Sequence, residues 1–157
     1  MTECRILVSA CLLGTPCRYD GASKPHPAVM ALARHASLIP VCPECAGGLA
    51  TPRPPAEIRP DGRVVTCEGT DVSAAYARGA EEALRLARAH HCCCAVLKAR
   101  SPACGCRETY DGSFSRRLVP VPGVAARALM AAGIPVYDEE HLPEPAGQGK
   151  TFTPKCP

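Results

Sequence analysis

The residues Arg5-Ile-Leu-Val-Ser-Ala-Cys-Leu-Leu13 form an almost unbroken apolar run of strand length. An unbroken run, as opposed to an alternating one, suits a strand covered on both faces, as in a parallel sheet. Three shorter runs of the same kind follow: Ser37-Leu-Ile-Pro-Val-Cys42, Cys94-Ala-Val-Leu-Lys-Ala99 and Ile134-Pro-Val-Tyr137. Between them the period changes to that of helices. Prolines that fit a first turn open a short helix expected near residues 27 to 36. Val72, Tyr76, Ala80, Ala83 and Ala87 fall on one stripe of a helix that Thr70 or Asp71 can cap and that runs to about residue 89. A last helix is expected from about residue 123 to 132. The order β-α-β-α-β-α-β predicts an α/β fold: a single-domain, doubly wound, mostly parallel sheet with flanking helices, Rossmann-like, with right-handed crossovers.

Residues 43 to 70, with Gly47-Gly48 and Pro52-Arg-Pro-Pro55, read as one long irregular loop, and a second is expected from about residue 100 to 114. Long loops inside a compact domain are usually functional. From residue 143 the chain is rich in Pro and Gly, so residues 1–142 are expected to form the domain and 143–157 a tail carrying Cys156. The length of 157 residues suits one domain. With 46% hydrophobic and 21% charged residues the chain is not a disordered one. A net charge of only +3, no Trp, four Tyr and two Phe leave too little for a base-stacking surface, so no stable nucleic-acid complex is expected. No apolar run approaches the roughly eighteen residues that span a bilayer. Only five residues separate Arg5 from Cys11, too few for a signal segment, and a cytoplasmic protein without a membrane partner is expected. Its amphipathic helices can pack on the sheet or on a second copy, which leaves a homo-oligomer open.

Twelve cysteines are the outlier. In a reducing compartment, clustered cysteines bind metal or do chemistry more often than they form disulfides. Ligands of open α/β sheets bind outside the carboxyl ends of the strands. Cys11 follows the first strand, Cys42 closes the second and Cys104 follows the third, so the topology brings these three to one edge; Cys17 stands in the loop nearby. Cys92, Cys93 and Cys94 fall at the opposite edge and read as small buried hydrophobes. Three thiolates with an open position suit a reactive zinc, copper(I) or iron–sulfur centre. Glu44 stands beside this edge as a general base or as a solvated loop carboxylate. Ser101, before Pro102, is a hydrogen-bond donor to a developing anion or a turn initiator. Arg18, Lys24, Arg53 and Lys98 can clamp an anionic substrate group or lie on the surface.

The runs Val8-Ser-Ala-Cys-Leu-Leu-Gly14, Cys17-Arg-Tyr-Asp-Gly21, Val41-Cys-Pro-Glu44, Gly47-Gly-Leu49, Thr51-Pro-Arg-Pro-Pro-Ala-Glu57, Leu97-Lys98, Ser101-Pro-Ala-Cys-Gly105 and Tyr110-Asp-Gly-Ser-Phe114 resemble, in order, the motifs of the thiouracil desulfidases. The match runs from about residue 5 to 138. The resemblance implies an enzyme that removes sulfur from thiolated pyrimidines without redox chemistry, releasing hydrosulfide at a [4Fe-4S] cluster held by three cysteines. By motif the ligands are Cys11, Cys42 and Cys104, with Cys17 as the alternative to Cys42; Glu44 corresponds to the catalytic carboxylate and Ser101 to the catalytic serine. It implies a small thiolated base or nucleotide as substrate, with 4-thiouridine monophosphate the physiological one, in the recycling of nucleotides from thiolated RNA. The chain departs from the pattern at Cys45, in its Cys92-Cys93-Cys94 run and at Ala103, where Ser is commoner. Two other classes stay open. One is a non-catalytic zinc–thiolate protein using Cys42, Cys45, Cys104 and Cys106; the other is a thiol–disulfide enzyme built on Cys42-Pro-Glu-Cys45.

Overall fold

In the computed structural model, which describes residues 4 to 143, four parallel strands form the central sheet: β1 (Arg5–Ser9), β2 (Ser37–Val41), β5 (Cys94–Leu97) and β8 (Val136–Asp138), in the order β2-β1-β5-β8. The expected doubly wound α/β sheet with flanking helices is observed. Most of the expected tail, and Cys156 with it, lies outside the described residues.

The unbroken apolar run of β1 is explained by its two covered faces. Ile6 and Val8 pack with Val29, Leu32 and Val96, beneath α1 (Pro27–Met30) and the 3-10 turn that continues it over Ala31–Arg34. Leu7 packs with Ala95, Leu97, Tyr76, Ala80, Ala83 and Leu129, beneath α3 (Ser73–Ala89) and α4 (Val124–Ala131). The alanine stripe of α3 is its buried face, and small side chains there let the helix lie close to its neighbours. Pro40 lies within β2 and is exposed; a strand at the sheet edge tolerates a residue without an N–H.

Three expectations are corrected. Residues 43 to 70 are not a structureless loop: they hold α2 (Pro43–Ala46) and an antiparallel hairpin of β3 (Ala56–Ile58) and β4 (Val64–Thr66). Its turn, Pro60-Asp-Gly62, carries ordinary turn chemistry: the Gly62 N–H donates to the Arg59 carbonyl and the Asp61 side chain accepts from the Arg63 N–H. The second loop contains β6 (Thr109–Tyr110), which pairs with β7 (Leu118–Val119) in another small ribbon. Cys93 is not a free buried thiol. It forms a disulfide with Cys4, so that residues just before β1 and β5 are joined at the amino edge; these strands are neighbours, with Ile6 opposite Cys94. Cys94 is buried and Cys92 half-buried, both free.

The chain passes from β1 outward to β2 and then back to β5 on the other side of β1. The crevice outside the carboxyl ends of β1, β2 and β5 is therefore a topological switch point, where such sheets bind ligands. Among the described residues no helix is long and apolar enough to cross a membrane.

Candidate active site

A cavity of about 470 Å³ opens at this switch point, within the range of small-molecule sites. Cys11, Cys42 and Cys104 all line it, and Cys17 does too. Each reaches it from a different strand. Cys11 lies in the 3-10 turn Ala10–Leu13 that ends β1. Cys42 is the residue between β2 and α2, where Pro43 at the first helical position fixes the start of the turn. Cys104 belongs to the loop after β5, which is anchored by α4: the Val124, Ala125 and Ala126 N–H groups donate to the Pro102 and Ala103 carbonyls. The otherwise unpaired donors of a helix start thus hold the loop in place.

Glu44, in α2, joins the same cavity through a buried network. Its Oε2 accepts from Arg53 Nε (3.0 Å) and pairs with a terminal guanidinium nitrogen of Arg53 at 2.8 Å, the two side chains being 6% and 14% exposed. Its Oε1 accepts from the Ser101 hydroxyl at 3.4 Å. Ser101 Oγ in turn accepts from the Ala103 and Cys104 N–H groups, which orients the hydroxyl toward Glu44. The phenol of Tyr76 completes the set; burial first, and then the facing Glu44 carboxylate, push its ionisation up. Arg53 also donates to the Cys17 and Ala50 carbonyls and to Thr51 Oγ1, at 2.8, 3.1 and 3.0 Å. Its rigid fork therefore ties the loop after β1 to α2.

Burial pushes the Cys11 thiol up to about 11 and the Cys104 thiol up to about 12, and raises those of Cys42 and Cys17 as well. Such thiols stay protonated until a metal takes the proton's place. Among the described residues no three His, Cys, Asp or Glu side chains converge to hold a single metal ion. Ligands of one zinc stand only about 4 Å apart, whereas a multi-iron cluster fills the space between thiolates bound to different irons. Cys11, Cys42 and Cys104 offer this cavity the soft thiolate donors that an iron–sulfur cluster takes. The four-thiolate alternative is not assembled, because Cys106 leaves the cavity and lies against Asp138 Oδ2 at 3.8 Å. Cys45, exposed, turns toward Thr51 and the Cys17 carbonyl, and no disulfide joins it to Cys42.

All four cationic residues named from sequence line the cavity, in two kinds. Arg53 serves Glu44, and Lys98 pairs with the buried Glu139 at 3.1 Å, while Glu139 also accepts from the Ala99 N–H. Arg18 and Lys24 form no ion pair among the described residues. Sequence reasoning missed Tyr76 as a site residue, since the helical stripe marks it only as core. It also missed Glu57, Tyr110 and Arg116 on the cavity wall, although Glu57 and Tyr110 lie in two of the quoted motifs.

The model of the 2-thiouracil desulfurase family matches residues 6–141. The chain belongs to this family. It is 36% identical over 146 residues to the uncharacterized protein YbbK of Bacillus subtilis (strain 168), covering 87% of this chain and 97% of that protein. It is also similar to the solved structure of the [4Fe-4S]-dependent thiouracil desulfidase TudS, with 44% identity and a TM-score of 0.82 over 88% of this chain and 92% of that one.

In this 2-thiouracil desulfurase family member, the placement of Glu44 and Cys42 depends on a contact between two glycines and two carbonyls. A Cβ at Gly79 of α3 would overlap the Pro43 carbonyl, and one at Gly47 would overlap the Ala75 carbonyl. Arg78 reinforces the contact by donating twice to the Gly47 carbonyl, at 3.1 and 3.0 Å. Gly79→Ala gains about 1 kcal/mol of helix propensity. Overpacking against backbone that cannot swing aside costs about 1–3 kcal/mol or more, and this term wins. The expected result is a fall of roughly 2–8 °C in the thermal midpoint. A rise in the midpoint would mean that the contact is slack.

Proposed function

We propose that this protein hydrolyses the carbon–sulfur bond of thiolated pyrimidines, at a [4Fe-4S] cluster held by Cys11, Cys42 and Cys104, and releases hydrosulfide. The observation that carries this reading is the arrival of three thiols from three strand ends on one cavity that also receives the Glu44–Ser101 pair. A cluster with three thiolate ligands supplies a Lewis-acidic iron with an affinity for sulfur. The remaining steps fall to the chain's own residues. Glu44 accepts a proton from the water that adds to the ring carbon, while Arg53 holds Oε2 and leaves Oε1 toward Ser101. Once Glu44 has taken that proton it no longer needs the Ser101 hydrogen bond, and the freed hydroxyl donates to the developing anion. Water replaces the thiocarbonyl sulfur by oxygen, so the balance is one water in and one sulfide out, with no electron transferred.

The substrate is a small molecule, with 4-thiouridine monophosphate the preferred form over the free base, because Arg18 and Lys24 stand at the cavity wall without an internal counter-ion. The nine cysteines that are free among the described residues suit a reducing compartment, the cytoplasm. The test is anaerobic purification with iron and sulfide reconstitution, followed by incubation with 4-thiouridine monophosphate. A broad cluster absorption, loss of the thione band and stoichiometric sulfide are expected. A colourless protein that takes up one zinc and leaves the thione intact overturns the reading.

A further inference from the structure

Glu57 lies in β3 on the wall of the cavity, yet its carboxylate is not turned to a side-chain cation. Its Oε1 accepts two backbone N–H groups from the tip of the β6–β7 hairpin, from Gly112 at 3.0 Å and from Phe114 at 3.1 Å. This tip has an uncommon backbone. Gly112, Phe114 and Arg116 adopt φ of 95°, 56° and 62°. The left-handed region costs a residue with a Cβ about 1–2 kcal/mol, so Phe114 and Arg116 need support: within the tip Asp111 Oδ1 accepts from the Ser113 N–H and hydroxyl, and from outside it Glu57 holds Gly112 and Phe114. Hydrogen bonds to an ionised acceptor are among the stronger ones available. Contact is also close: a Cβ at Gly112 would press on the Cα of Arg59, two residues beyond Glu57. Two residues that flank the tip, Tyr110 and Arg116, face the cavity, and Arg116 forms no ion pair among the described residues. Arg18 and Lys24 line the same cavity.

We propose that Glu57 is a positioning residue that fixes the hairpin tip against the cavity, so that Arg116 is presented, with Arg18 and Lys24, to an anionic group on the substrate. This rests on the reading of the cavity as the desulfidation site. Sequence motifs carried Glu57 and Tyr110-Asp-Gly-Ser-Phe114 without a use for either; the two hydrogen bonds join them into one device. The interaction is also a division of labour. Glu44 and Ser101 address the ring, while the tip addresses the far end of the substrate, so damage to the tip weakens binding before it slows the bond-breaking step.

Two measurements test this on the reconstituted full-length protein. Amide hydrogen exchange over residues 111–116 is read first, because it needs no turnover. Glu57→Ala is expected to speed exchange there at least about tenfold, with Glu57→Gln, which keeps an acceptor oxygen, closer to the parent. Unchanged exchange in Glu57→Ala overturns the proposal whether or not the protein is a desulfidase. Steady-state kinetics follow. Glu57→Ala and Arg116→Ala are each expected to raise KM for 4-thiouridine monophosphate about tenfold and more than for 4-thiouracil, with a smaller change in kcat and partial rescue in Glu57→Gln. Equal KM changes for nucleotide and base, or a loss confined to kcat, overturn the role assigned to Arg116. If the parent protein leaves every thione intact, the functional reading fails; the exchange result still decides whether Glu57 holds the tip.

Discussion

Cys104→Ser is expected to leave the reconstituted protein with less than about a tenth of the parent's iron and no cluster absorption, and Cys106→Ser to leave both unchanged. The two residues stand two apart and differ in what they face. Cys104 is buried on the cavity wall, with the Ser9 and Ser101 hydroxyls beside its sulfur and Cys11 close enough to interact. Cys106 is turned to the Asp138 carboxylate. A serine at 104 would offer a hard, protonated oxygen where iron prefers a soft thiolate, and disturbing even the groups behind a metal ligand commonly costs ten- to a hundredfold in affinity. The same experiment separates Cys42 from Cys17. Cys17 lines the cavity too, and its carbonyl receives Arg53 and the Cys42 and Cys45 thiols, a role that Cys17→Ser keeps. Cys17→Ser should therefore keep most of the iron and Cys42→Ser lose it. Retention in Cys42→Ser with loss in Cys17→Ser would exchange their roles. Thermal unfolding of each variant before reconstitution distinguishes a missing ligand from a missing fold.

The four parallel strands were legible because burial on both faces writes an unbroken apolar run, and that run is hard to mistake at five residues such as Arg5–Ser9. The two ribbons were not, because strands of two or three residues such as Thr109–Tyr110 are shorter than any period can register. Only the Pro60-Asp-Gly62 turn could have betrayed the β3–β4 hairpin. The meeting of Cys11, Cys42 and Cys104 at one edge follows from topology alone, since each merely has to come after its strand. What their neighbours do does not follow. Nothing in the sequence says that Arg53 serves Glu44 while Arg18 does not, or that Lys98 pairs with a glutamate forty-one residues later. Tyr76 shows the same limit: its period places the ring inside, and only the fold shows which carboxylate its hydroxyl meets. The Cys4–Cys93 disulfide escaped for another reason. The argument from compartment treats cysteines as a population, whereas the register of β1 and β5 brings this particular pair together.

Glu44→Gln is expected to lower kcat by about 10²–10⁴ while the cluster absorption stays at the parent level. The exchange keeps the shape of the side chain and one oxygen, and it removes the charge that takes the proton from water. It also strips Arg53 of its counter-ion. Because that guanidinium is 6% exposed, the cost to stability is expected near the about 3–5 kcal/mol typical of an uncompensated buried charge. The two effects have to be read apart. Arg53→Gln breaks the same pair from the other side, so it should match Glu44→Gln in the thermal midpoint while retaining more turnover, since the carboxylate is still present. Ser101→Ala removes a single donor and should cost about 10²–10³ in kcat with little change in the midpoint. Its Oγ is also the acceptor for the Ala103 and Cys104 N–H groups, so a lower cluster occupancy in Ser101→Ala would show that the serine sets the loop as well as the chemistry. If Glu44→Gln and Arg53→Gln lose turnover equally and in step with stability, Glu44 acts as the anchor of α2 and another group must activate the water. If Glu44→Gln alone falls by the larger factor at full cluster content, the carboxylate is the base, and Arg53 is the residue that keeps one of its oxygens occupied so that the other faces Ser101.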